Sequence, residues 1–176
     1  MAHHIIVTEY NPLWTRMFEE EALKIKTILG ENCIAIHHIG STSIVGLAAK
    51  PIIDILPIVY NLEDVDKAAT QFEKMGYEYM GEYGISGRRY LRKGGDERTH
   101  HIHIFSKKNV YDIERLLAVR DYLRSHPVAC KQYADLKRKL ANKYPYDNHG
   151  YCDGKEEFVK QLEKDALIWK NSHCSS

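Results

Sequence analysis

The sequence predicts an α+β fold: an α/β core over residues 1–106, followed by a helical subdomain over residues 107–176 packed on it as part of a single structural unit. Three observations predict it. Short apolar, β-branched runs at residues 33–39 and 51–59 read as strands. A Gly94-Gly95 turn joins two further alternating runs as a hairpin. After Ser106, apolar residues recur at helical spacing to the end of the chain. A length of 176 residues suits one globular domain.

Asn11-Pro12 opens the first helix, with Asn as the cap and Pro at the first helical position. Leu13, Met17, Leu23, Ile25 and Ile28 follow, and Gly30 ends it. Residues 33–39, CIAIHHI, form a strand that runs into the Gly40-Ser41 turn. The second strand, Pro51 to Val59, reads PIIDILPIV. It is apolar on both faces apart from Asp54, so it is expected to be central and buried. Leu62, Val65, Ala69, Phe72 and Met75 mark one amphipathic helix, capped by Gly76. Strands are expected at Tyr77 to Met80, Arg88 to Lys93 and Thr99 to Phe105. Helices follow at Tyr111 to Arg124, from Pro127 to Lys143, and at Lys155 to Lys170. Between the last two, Tyr144 to Gly154 is rich in Pro, Asp, Asn and Gly, and reads as a loop long enough to be functional.

Composition narrows the function classes. Lys plus Arg number 25 against 24 for Asp plus Glu, a net charge of +1, so no global field draws the protein to nucleic acid or to an anionic membrane. No apolar stretch approaches the roughly 20 residues that span a bilayer, and MAHHIIVTEY lacks the features of a secretory signal, so a cytoplasmic protein is expected. Cys33, Cys130, Cys152 and Cys174 are scattered without a C-x-x-C pair, which favours reduced thiols over a disulfide framework or a thiolate metal site. No feature indicates an oligomeric state.

Two places can carry chemistry. Gly40-Ser41-Thr42-Ser43 ends one strand and precedes the strand bearing Asp54, so its N–H groups and hydroxyls can line a phosphate beside a carboxylate. A Gly-Ser turn taken alone is an ordinary strand ending. Its partner strengthens the reading, because a carboxylate within PIIDILPIV is costly to bury unless paired, hydrogen-bonded or bound to a cation.

The stretch HHIGSTSIVGLAAKPIIDI, with RRYLRK, THHIHIF, RDYLRSHP, YADLKRKLA, Tyr151 and Lys155, resembles the GrpB family, placed in the nucleotidyltransferase superfamily of DNA polymerase β. Many relatives have Pro where Val45 stands. The resemblance implies a mixed β-sheet, nucleotidyltransferase-like core with flanking helices, and puts Gly40-Ser41 where that superfamily holds nucleotide phosphates. The superfamily usually carries two carboxylates two residues apart on the next strand, to hold a Mg²⁺ pair. Here Ile52 and Leu56 flank Asp54 at that spacing, so two-metal transfer requires ligands from elsewhere.

His100-His101-Ile102-His103 offers them, because alternation puts His101 and His103 on one strand face. Asp54, His101 and His103 would suit Zn²⁺, Mn²⁺ or Fe²⁺ better than Mg²⁺. The histidines can equally hydrogen-bond Asp54 directly or contact a ligand's phosphate. A two-histidine phosphoesterase is excluded, since the repeated His-x-Ser/Thr pair is missing; His38 reads as structural. Arg88, Tyr90 and Arg92 share one face of their strand, so Arg88 and Arg92 are candidates for an anion, although edge-strand cations are often simply solvated. Lys50 and Lys155 are further candidates. Arg120 and Arg124 read as rim charges on a docked helix, and Lys137, Arg138, Lys139 and Lys143 as a solvated face.

The expected function is binding of a nucleotide or phosphorylated metabolite, with transfer of a nucleotidyl group to a small acceptor. In that reading Asp54 is catalytic and shares a divalent ion, Mg²⁺, Mn²⁺ or Zn²⁺, with His101 and His103. The alternative is a binding module that has lost the second carboxylate.

Overall fold

The computed structural model describes residues 3–173, so Cys174 lies outside the described residues. Helix α1 spans Leu13–Leu29; the Asn11 side chain caps it by accepting from the Leu13 N–H at 2.9 Å. Gly30 ends it at φ 57°. Strand β1, Cys33–Ile39, leads through a short 3-10 turn at Ser41–Ser43 to β2, Ile53–Val59. Next come α2 at Leu62–Lys67, α3 at Ala69–Lys74, β3 at Tyr77–Tyr79, β4 at Arg88–Lys93 and β5 at His100–Ser106. Helices α4 at Val110–Ser125, α5 at Pro127–Lys143 and α6 at Asn148–His173 complete the described residues. Among the described residues, no helix is long and apolar enough to cross a membrane.

The five strands lie in the order β1-β2-β5-β4-β3. Strands β2 and β5 are parallel, and the other neighbours are antiparallel, so the sheet is mixed and PIIDILPIV is an interior strand. Pleating separates its two faces. One face carries Ile53, Ile55, Leu91, Ile102 and Ile104 against Trp14 and Ile25 of α1, Val65 of α2 and Phe72 of α3. His38 belongs to this side, stacked on Phe18 with ring centroids 4.7 Å apart. The Thr42 hydroxyl donates its single hydrogen to the Ile52 carbonyl at 3.1 Å, so it accepts from His38 Nε2 at 3.0 Å. Burial pushes the His38 imidazole down to about 4, which keeps it neutral and structural.

The opposite face is covered at one end by α4, through Ile39, Leu56 and Phe105 against Ile113, Leu116 and Leu117. The Asp54 end faces α5 and α6 instead. Those helices are anchored by the segment between the Ser41 turn and β2: Ile44, Leu47 and Ala48 pack with Leu123, Ala134 and Leu162. Arg124 donates Nε and a terminal nitrogen to the Ser43 carbonyl at 3.1 and 2.9 Å, so it pins the turn and is more than a rim charge. The chain's start also reaches the helices, with the Ile5 N–H donating to the Pro145 carbonyl at 2.8 Å.

Two elements differ from the sequence expectation. The helix expected from Leu62 to Met75 is broken at Ala68 into α2 and α3, yet Val65 and Phe72 still face one core, so the apolar spacing carries no trace of the break. The expected loop from Tyr144 to Gly154 is mostly helix, since α6 starts at Asn148. Gly154 is there because a Cβ would strike the Leu140 side chain; it lets α6 lie close to α5.

Ile102 is fully buried at the heart of the sheet, between His101 and His103 of β5. Ile102→Ala should destabilise the protein by about 2–5 kcal/mol in urea unfolding, because the surrounding core cannot fully close the cavity. A loss under about 1 kcal/mol would contradict this packing.

Candidate functional site

Register brings the chemistry together. Asp54 pairs with His101 across the β2–β5 ladder, and His101 pairs with Arg92 and His103 with Tyr90 on β4. Asp54, His101 and His103 therefore share one face. His103 Nε2 lies 3.1 Å and His101 Nδ1 3.5 Å from the same oxygen, Asp54 Oδ1. The other carboxylate oxygen faces Gly40, where a Cβ would stand only 2.6 Å from Asp54 Oδ2. Gly40 also has φ 72° and ψ −175°, a conformation that L side chains rarely adopt. A glycine is required on both counts.

Burial alone would raise the Asp54 pKa, but the His101 and His103 rings against the carboxylate outweigh it, holding the carboxyl well below its usual range. It is an ionised centre within a partly enclosed site. One ligand atom from each of Asp54, His101 and His103 lies within 4.8 Å of the others, and the two separations from Asp54 Oδ1 match the roughly 3–3.5 Å expected around an ion with bonds near 2.1 Å. The donor set thus fits a divalent ion. One contact works against it: an Arg88 terminal nitrogen lies 3.5 Å from His103 Nδ1. A guanidinium only donates, so it favours the tautomer in which Nε2 carries the proton toward Asp54, and an ion must displace that proton. His101 Nε2 is buried without a partner.

Beside Asp54 opens a cavity of about 270 Å³. Its walls include Gly40, Ser41, Thr42, Lys50, Ile52, Asp54 and His101, with Tyr133 and Lys137 from α5 and Tyr151 and Lys155 from α6. Of the residues singled out in the sequence, Gly40, Ser41, Thr42, Lys50 and Lys155 line it. Ser43 does not; its hydroxyl closes the turn by donating to the Gly40 carbonyl at 2.5 Å. Arg88 and Arg92 do not line it either, although they keep the face that alternation gave them. Arg88 donates to the Glu82 and Tyr83 carbonyls at 3.2 and 2.7 Å, and Arg92 reaches Glu78 at 3.5 Å. Carbonyls of the segment between β3 and β4 hold Arg88, whose other terminal nitrogen lies against His103, and Glu78 of β3 holds Arg92, so neither guanidinium lines the cavity where an anion was expected.

Lys137 is the correction in the other direction. Read as part of a solvated face, it is only 2% exposed, and its Nζ donates to Ser41 Oγ at 2.6 Å. Burial, with the nearby Lys155 and Lys50 charges, pushes its amine down to about 7. The unfolded chain therefore binds more protons between about pH 7 and the ordinary lysine value near 10.4, so this group's contribution makes the protein more stable as pH rises through that window. Tyr151 is wholly buried with its hydroxyl unpartnered, and Lys50 and Lys155 Nζ sit 4.9 and 4.7 Å from its ring centre. A sequence signal existed: Tyr133 and Lys137, and Tyr151 and Lys155, are both four apart, so each pair shares a helix face. The Lys137–Tyr133 distance of 4.4 Å repeats the arrangement.

The comparisons agree with this architecture. Residues 4–165 match the family model described as GrpB protein. YqkA of Bacillus subtilis is 48% identical over 161 residues, 92% of this chain and 47% of that protein, so the chain spans about half its length. The glutamate-rich protein GrpB of Alkalihalophilus pseudofirmus is 36% identical over 90% of this chain and 93% of its own. The crystal structure of conserved protein GrpB from Enterococcus faecalis superposes with a TM-score of 0.92 at 53% identity, covering 94% of this chain and 99% of that one. The fold is also that of the Cid1 poly(U) polymerase with MgGTP bound, at a TM-score of 0.52 and 14% identity over 77% of this chain and 44% of that one. A mixed five-stranded sheet with flanking helices, similar to nucleotidyltransferases, and a family match across most of its length make this chain a member of the GrpB family.

Proposed function

We propose that the cavity binds a nucleotide or other phosphorylated small molecule together with a divalent ion, and that the protein transfers a nucleotidyl group from it to a small acceptor. One observation carries the reading: a single cavity joins metal-competent donors at Asp54 to a wall of hydroxyl and ammonium groups at Ser41, Lys50, Lys137 and Lys155. Three lysines crowded into one space repel one another, and a phosphate relieves that repulsion. Asp54, His101 and His103 would hold the ion, which supplies positive charge to phosphate oxygens. Lys50 and Lys155 orient the phosphates, and the turn after Gly40 approaches them with backbone. Similarity of fold to a polymerase with MgGTP bound supports the ligand class.

A second reading, binding without transfer, draws on Ile52. It lines the cavity at the spacing where a second metal-binding carboxylate would stand. Turnover separates the two: pyrophosphate release from a nucleoside triphosphate supports transfer, and tight binding without release supports the module.

Binding is tested first by thermal denaturation. A nucleoside triphosphate with Mg²⁺, Mn²⁺ or Zn²⁺, at about 100 times its Kd, stabilises the folded state by about 2.7 kcal/mol. That corresponds to a rise in Tm of roughly 5–10 °C. Lys155→Met should remove most of the rise while leaving the apoprotein folded, since Met keeps the apolar stem and loses only the charge. No shift with any triphosphate and any of these ions would refute the nucleotide site.

A further inference from the structure

We propose that Ser41 is a nucleophile activated by Lys137, and that it takes the nucleotidyl group onto its own side chain before the final acceptor does. The identity of that group rests on the function proposed above; the nucleophile itself does not. Lys137 Nζ is 2.6 Å from Ser41 Oγ, and the buried amine's polar partner is this hydroxyl, not a carboxylate. The charged and titratable groups that act on it are Lys155 of α6, Lys50 before β2, the Cys130 thiol of α5 and Asp54 of β2. Tyr133 of α5 places its ring 4.4 Å from Nζ and its hydroxyl within reach of Ser41. A lysine so placed holds a neutral fraction near pH 7, and a neutral amine has a lone pair to accept the hydroxyl proton.

Position supports the same role. Ser41 follows the glycine that packs directly on Asp54, so its hydroxyl is presented by a sharp turn beside the ionised centre. Lys50 and Lys155 line the same cavity and offer charge to phosphate oxygens as negative charge builds on them. The arrangement also answers a chemical gap. Ile52 stands where a second carboxylate would help a metal activate an incoming hydroxyl, and the Lys137–Ser41 pair supplies an activated hydroxyl without it.

Ser41 Oγ attacks the α-phosphorus of a bound nucleoside triphosphate and forms an Oγ–P bond. The bond from that phosphorus to the α–β bridging oxygen breaks, pyrophosphate leaves, and the serine proton passes to Lys137 Nζ. A small hydroxyl acceptor then attacks the same phosphorus and the Oγ–P bond breaks. Lys137 returns its proton to Oγ, and the acceptor's proton goes to solvent.

An alkyl fluorophosphonate tests the nucleophile without any nucleotide or metal. Mass spectrometry should find one adduct, on the peptide carrying Ser41, absent in Ser41→Ala. Its rate should rise with pH about a midpoint near 7 and fall by about 100-fold or more in Lys137→Met. Lys137→Arg, which keeps a cation but cannot act as a base, should fall likewise; labelling at the parental rate there would reduce Lys137 to an electrostatic role. No adduct on Ser41, or parental labelling of a folded Lys137→Met protein, overturns the proposal. Should that variant not fold, a parental rate with no midpoint below the ordinary lysine range overturns it equally. The cargo is read separately, by mass spectrometry after incubation with a nucleoside triphosphate and Mn²⁺. A nucleotidyl adduct on Ser41 supports the full proposal, and a fluorophosphonate adduct without it keeps the nucleophile and overturns the nucleotidyl cargo.

Discussion

Asp54→Asn should lower the affinity for Zn²⁺ or Mn²⁺ by roughly 100-fold or more while leaving the fold intact. The carboxylate is the shared acceptor of two imidazoles, with its Oδ1 3.1 and 3.5 Å from their ring nitrogens. An amide fills the same volume but carries no charge, and it is a poor ligand for these ions. Calorimetric titration of parent and variant measures the loss, and circular dichroism checks the fold. Parental affinity in Asp54→Asn would remove the metal and catalytic roles together. The pH dependence has a definite sign for each group. Imidazoles bind metal only when neutral, so ion affinity should fall on acidification. The Asp54 carboxyl is held well below its usual range, so its contribution to stability is complete above the unfolded value near 3.9 and is lost only as pH falls through the lower folded value.

Gly40→Ala should be nearly as damaging, by a different route. At φ 72° and ψ −175° an alanine pays about 1–3 kcal/mol of backbone strain. Its Cβ would also stand 2.6 Å from Asp54 Oδ2 and 3.1 Å from Asp54 Cβ, which forces a shift costing about 1–3 kcal/mol more. The sum, roughly 2–6 kcal/mol, should appear as a Tm lower by about 5–20 °C. Because the clash displaces the carboxylate, ion binding should fail as well. Gly46 is the control, since it also has positive φ, at 85°, but has nothing within 4 Å of a Cβ. Gly46→Ala should show backbone strain alone and keep ion binding. Equal effects at the two glycines would mean that contact with Asp54 does not shape the site.

Several features were determined by the sequence alone. Arg88 to Lys93 coincides with β4, and its alternation puts Arg88, Tyr90 and Arg92 on the face shared with His101 and His103. The cost of a carboxylate in PIIDILPIV identified Asp54, and the same reasoning required it to find buried partners. Both inferences use local periodicity and desolvation, which neighbouring residues fix. Tertiary structure decided what periodicity does not encode, namely which helix face meets which surface. Lys137 sits in a basic run that looks solvated, and only the docking of α5 over the Ser41 turn buries it. Arg88 and Arg92 lie on the correct face, but the Glu82 and Tyr83 carbonyls hold Arg88 and Glu78 of β3 holds Arg92. Gly150 and Gly154 look like loop residues because glycine weakens an isolated helix. In the folded protein Gly154 lets α6 approach Leu140, and close packing outweighs the lost propensity.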